Sequence, residues 1–120
     1  MRYLTTLKVT SQPATPPPPP LLEAIAALGE EALRAGVLVD TAGLLPLQAG
    51  GGRVSLSGGA LSVTDGPFTE SKELISYAVY DVQSRDEVLE WTSRFLRLHG
   101  EHWPGWEGEA DIQQLFASPG

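Results

Sequence analysis

Leu74-Ile75-Ser76-Tyr77-Ala78-Val79-Tyr80-Asp81-Val82, followed after Gln83 by Ser84-Arg85-Asp86-Glu87, decides the fold. The first nine residues are rich in β-branched and aromatic types and read as a strand. Ile75, Tyr77 and Val79 point one way; Leu74, Ala78, Tyr80 and Val82 point the other. Apolar residues on both faces predict a strand covered on both sides. Helices can supply one cover, and a second subunit is the simplest source of the other. Ser84 to Glu87 then reads as a capping box, in which Ser84 satisfies a free amide of a new helix and Glu87 reaches back.

That second helix carries Val88, Trp91, Phe95 and Leu98 as its buried stripe, with Leu89 and Leu96 beside it. Gly100 is expected to end it. A loop over 101–108 holds Trp103, Pro104 and Trp106, and a last strand runs from about Glu109 to Phe116. Upstream, Tyr3 to Thr10 reads as a strand. A Pro-rich connector covers 11–20, with Pro16 to Pro20 unbroken; proline cannot donate to a sheet ladder, so the run joins elements instead of forming one. A first helix spans about Pro20 to Ala35, with Leu21, Ile25, Leu28 and Ala32 on one face and Gly36 as its stop. Val37-Leu38-Val39 is a short apolar strand heading toward Gly43. Gln48 to Gly52 is glycine-rich but lacks the Lys and Ser/Thr of a phosphate loop. Arg53 to Ser57 and Ala60 to Thr64 alternate around Gly58-Gly59, the pattern of a tight hairpin.

The order strand, helix, strand, hairpin, strand, helix, strand predicts one α+β domain over 1–120. Its expected form is a ferredoxin-like split βαβ with an inserted β-hairpin and two helices on one sheet face. The other sheet face must stay wet, bind something, or pair with another sheet.

Composition narrows the function. A chain of 120 residues with 42% apolar content can build a core without staples. The absence of cysteine removes disulfides, thiolate metal sites and cysteine nucleophiles. A net charge of −7 disfavours nucleic acid and anionic membrane surfaces as partners. No apolar run approaches the roughly 18 residues of a membrane span, and no signal core is present, so the expected location is cytoplasmic. No Gly-x-Ser-x-Gly elbow supports serine hydrolase chemistry.

Val63-Thr64-Asp65-Gly66-Pro67-Phe68-Thr69-Glu70-Ser71-Lys72-Glu73-Leu74 resembles the signature of the YCII-related proteins of the DGPF type. Ala35 to Val39 with Gly43-Leu44, Ser84 to Phe95, and Gly108 to Phe116 look like the flanking pieces of that family. The resemblance implies a dimeric α/β barrel, in which two sheets pack face to face as a homodimer. It implies no settled activity. Some relatives have been suggested to be enzymes using a His–Asp pair; Asp65 matches the acid, and the first helix contains no histidine. A regulatory link to a sigma factor is implied only as context. The proline run departs from the family pattern.

The candidate residues follow. Asp65-Gly66-Pro67-Phe68 reads first as a rigid turn, since each residue type suits one. Its functional reading places Asp65 as a catalytic acid/base, with Arg53, Phe68, Glu70, Lys72 and Tyr77 around a ligand. His99, His102 and Glu101 have no metal-ligand spacing, so no metal is expected. Nor is any cofactor. Trp103 and Trp106 are candidates for an exposed binding or subunit surface. The favoured reading is a homodimeric small-molecule-binding or regulatory domain. The alternatives are a small cofactor-free enzyme using Asp65 in the inter-sheet cavity, and a structural or interaction subunit using the tryptophan loop.

Overall fold

The computed structural model describes residues 1–68 and 73–116. In chain order the elements are β1 (Arg2–Ser11), α1 (Pro19–Arg34), β2 (Leu38–Gly43), β3 (Arg53–Ser57), β4 (Ala60–Thr64), β5 (Glu73–Asp81), α2 (Arg85–His102) and β6 (Glu107–Gln114). Four strands form one antiparallel sheet in the order β2-β5-β1-β6, while β3 and β4 form a separate two-stranded sheet. Two helices on an antiparallel sheet of this order make a ferredoxin-like α+β fold.

Strand β1 sets the two faces. Tyr3, Thr5, Leu7 and Val9 are buried, while Leu4, Thr6 and Lys8 between them are only half-buried. Side chains alternate across a strand, so the first set lies under the helices and the second on the open face. Under the helices, one cluster joins Tyr3, Ala32, Val37, Tyr80, Val82 and Val88. A second joins Leu7, Val9, Leu21, Trp103 and Trp106, with Ile25, Ile75, Phe95 and Ala110 packed against it.

Both helices start and stop for local reasons. Pro19 and Pro20 occupy the first positions of α1, where the missing amide costs nothing, so the connector ends at Pro18. Gly36, at φ +74°, closes α1, with its amide and that of Val37 donating to Leu33 and Ala32. At α2 the Ser84 hydroxyl accepts from the Glu87 amide at 3.2 Å. Glu87 reaches back to the amide of Gln83, one residue before the cap, at 2.9 Å.

Three expectations need correction. The register of β5 on β1 shifts between Leu7 and Lys8, so Leu7 faces Ser76 while Lys8 faces Leu74. The extra residue is Ile75, which turns in toward Leu7 and Leu21 and leaves Leu74 on the open face with Tyr77 and Val79. Helix α2 also does not stop at Gly100. It continues to His102, because burying Trp103 against β1 favours one more half-turn, held by the Trp103 amide on the His99 carbonyl. The final strand accordingly begins at Glu107 and ends at Gln114.

The hairpin stands apart. Beyond each other, β3 and β4 pack only marginally on any strand or helix. The radius of gyration is 16.4 Å, against roughly 13.5 Å for a compact chain of this length. Among the described residues, no helix is long and apolar enough to cross a membrane.

Candidate functional site

The end of β2, the start of β5 and the foot of the hairpin meet at one place. The Leu44 amide donates to the Ile75 carbonyl at 2.8 Å, which carries the β2–β5 pairing one residue past Gly43. Residues 46–51 then fold into a tight turn, with the Ala49 amide on the Pro46 carbonyl and the Gly51 amide on the Leu47 carbonyl. A Cβ at Gly51 would collide with that Leu47 carbonyl. Close backbone packing thus accounts for Gly51, and a φ of +85° for Gly50.

This turn walls a cleft of about 650 Å³. Leu44, Leu45, Phe68 and Leu74 give it apolar sides, and Gln48, Arg53 and Glu73 its polar groups. Phe68 is buried, and its carbonyl accepts from the Gln48 side-chain amide at 3.1 Å. Arg53, the first residue of β3, holds its guanidinium 5.0 Å from the centre of the Phe68 ring, close enough for cation–π attraction. Gly66 has φ +122° and precedes a cis bond to Pro67. Such a φ is open to glycine and strained for other residues, so the turn that delivers Phe68 to the cleft depends on it.

Arg53 and Phe68 are therefore brought together. Asp65 is not part of the cleft lining. It is exposed on the hairpin's other foot, where its Oδ1 lies beside Gly52. Glu70 and Lys72 lie outside the described residues. Tyr77 is elsewhere, on the open sheet face, where its hydroxyl donates to Asp40 Oδ2 at 2.9 Å. That bond, with the nearby carboxylate charge, raises the Tyr77 pKa above its ordinary value. Thr6 sits between Tyr77 and Asp111 in the strand register, and Lys8 bonds Asp111 at 2.8 Å. The open face thus carries a polar row between Leu4–Val79 at one end and Leu74 at the other. Leu74 belongs to both this face and the cleft.

The tryptophans and histidines do not form a surface site. Trp103 and Trp106 are 6% and 8% exposed and belong to the core, which corrects the expectation of an exposed pair. Trp103 Nε1 donates to Thr15 in the connector at 3.4 Å. His99 is buried in the same cluster. Its ring lies 5.0 Å from Phe95 edge-on and 4.4 Å from Trp106, and Nδ1–H donates to the Phe95 carbonyl. Burial lowers its pKa below the usual 6.5. Among the described residues, no group of three or more acidic or histidine side chains converges as a metal site would require.

Sequence reasoning missed the 44–51 wall. Its one signal was the apolar run Leu44-Leu45-Pro46-Leu47, too short and aperiodic for a helix or strand.

The YCII-related domain model matches residues 1–95. The match runs from β1 into α2, so the resemblance read at Gly108 to Phe116 lies beyond it. No curated protein matches the chain at a significant level.

Proposed function

We propose, from the premise that this chain belongs to the YCII-related domain family, that it is a DGPF-type member working as a homodimeric small-molecule-binding or regulatory domain. The observation that carries this reading is the cleft under Arg53 and Phe68. Its volume and its apolar wall with a few polar groups suit a small organic ligand. The expected ligand has an apolar body against Leu44, Leu45, Leu74 and Phe68, and a polar end toward Arg53 and Gln48.

The homodimer is supported by the open sheet face, which leaves Leu4 and Val79 half-buried and Leu74 41% exposed in the single chain. Packing two such faces together, as in a dimeric α/β barrel, removes that area from water and encloses the polar row around Tyr77. A regulatory partner such as a sigma factor belongs to this reading through the family resemblance alone.

The enzymatic alternative rests on Asp65 as acid or base. Its exposure and its place outside the cleft lining favour the turn role, and both histidines sit in the last turn of α2. The two readings separate in one experiment: a small-molecule thermal-shift screen on the wild type, followed by Arg53→Ala and Asp65→Asn. The binding reading expects a stabilising ligand whose shift is lost in Arg53→Ala and kept in Asp65→Asn. A ligand consumed by the wild type and left intact by Asp65→Asn would instead establish the enzyme. No stabilising ligand of any class would count against both.

A further inference from the structure

The β3–β4 hairpin carries an apolar face that its own chain leaves bare. In its register Val54 faces Val63 and Leu56 faces Leu61, so all four side chains share one side, while Ser55 and Ser62 pair on the other. Val54, Leu56, Leu61 and Val63 are 68%, 69%, 72% and 70% exposed. Gly58 and Gly59, both at positive φ, form a turn that fits the twist of a hairpin. A two-stranded hairpin standing alone is marginal in water, and this one has little to lean on. Natural sheet edges are blunted by charge, proline or a bulge. From Val54 to Thr64 there is no charged residue and no proline, and the β3–β4 register is unbroken.

The charge and symmetry of this face identify its occupant. Two chains of net charge −7 repel on approach, and between Val54 and Thr64 the arm adds no charge of its own to the contact. The face also suits itself: a two-fold axis brings the same Val–Val and Leu–Leu rungs of two copies together, the self-complementary form of a two-fold interface. Four side chains fall short of the roughly 1,000 Å² a stable interface needs. The arm supplies the remainder by where it springs from. Its foot, Arg53, lines the same cleft as Leu74, and Leu74 lies on the open face with Leu4 and Val79.

We infer that the hairpin is a dimer arm, its Val54–Leu56–Leu61–Val63 face covered by a second copy of this chain. The inference rests on the homodimer reading and draws the rest of its contact area from the open sheet face; it does not rest on any ligand in the cleft. The test is light scattering over a concentration series on the full chain, its Leu56→Glu/Leu61→Glu variant and its Leu4→Glu/Val79→Glu variant. Circular dichroism and tryptophan fluorescence verify folding, since all three tryptophans lie in α2 and the loop after it, outside the arm. The arm variant is expected to stay folded while its dimer dissociation constant rises at least 100-fold. A folded arm variant that dimerises like the wild type overturns the inference. If the Leu4→Glu/Val79→Glu variant is then monomeric, the homodimer reading survives without the arm. A wild type that is monomeric at every concentration overturns both.

Discussion

The Arg53 guanidinium lies over the Phe68 ring, 5.0 Å from its centre, and ties the foot of the hairpin to the turn that closes the cleft. One contact thus joins two segments that neither helix supports. It places a cation on an aromatic floor, at the cleft where the hairpin's foot, the 44–51 turn and the start of β5 come together.

Removing that contact should matter more for binding than for stability. An exposed cation–π pair contributes about 0.5–1 kcal/mol, so the loss of this pair in Arg53→Ala should by itself lower stability in urea by about that much. Ligand affinity, read by titration calorimetry, should fall about tenfold, the loss of roughly one charge-assisted hydrogen bond.

Gly108 should not tolerate a side chain. A Cβ there would meet the Lys8 carbonyl and the Trp106 ring, and both are held by the β1–β6 ladder and the core. Gly108→Ala should destabilise the protein by about 1–3 kcal/mol, as over-packing does. Urea unfolding followed by tryptophan fluorescence measures it directly.

Acid should weaken the fold through His99. Its folded pKa lies below the ordinary 6.5 because burial disfavours the imidazolium. The unfolded chain therefore takes up this proton first, so the stabilisation is complete above about pH 6.5 and is lost as pH falls through the folded pKa. His99→Phe keeps a ring between Phe95 and Trp106. It should flatten the pH dependence of the melting temperature below 6.5; an unchanged slope would assign it to other groups.

Tyr77 should titrate abnormally late because of Asp40. The hydrogen bond to the Asp40 carboxylate is the main cause, with the charge second. Asp40→Asn removes the charge and should bring the Tyr77 pKa down toward 10.0 in an ultraviolet pH titration. Tyr80 remains high in the same variant, since burial alone raises it.

Ser84→Ala should cost about 1 kcal/mol, the usual loss of a helix N-cap. The Glu87 amide would lose the hydroxyl that accepts it at 3.2 Å. A chemical-denaturation midpoint shift of that size checks it.

The elements with a clear period were legible in the sequence. The alternation of β1, the Leu21-Ile25-Leu28-Ala32 face of α1 and the Ser84–Glu87 start of α2 all report local chemistry, which one chain segment carries by itself. What failed depends on distant segments. Ile75 and Leu74 exchange faces because of a register shift against Leu7 and Lys8, and no residue within β5 announces it. Gly100 reads as a stop, yet the core's demand for Trp103 overrides a weak local preference. Of the candidate site, Arg53 and Phe68 could be picked from the sequence. The hairpin register brings Arg53 near Phe68 by pairing it with Thr64, whereas the Leu44 to Gly51 wall opposite takes its place only when β2 and β5 pair.

Native mass spectrometry of the purified chain reads subunit number and bound ligand together. The expected result is a species at twice 12.8 kDa that retains a small molecule in the wild type and loses it in Arg53→Ala. A chain that stays monomeric at high concentration and holds none of the compounds offered to it is not a homodimeric small-molecule-binding domain.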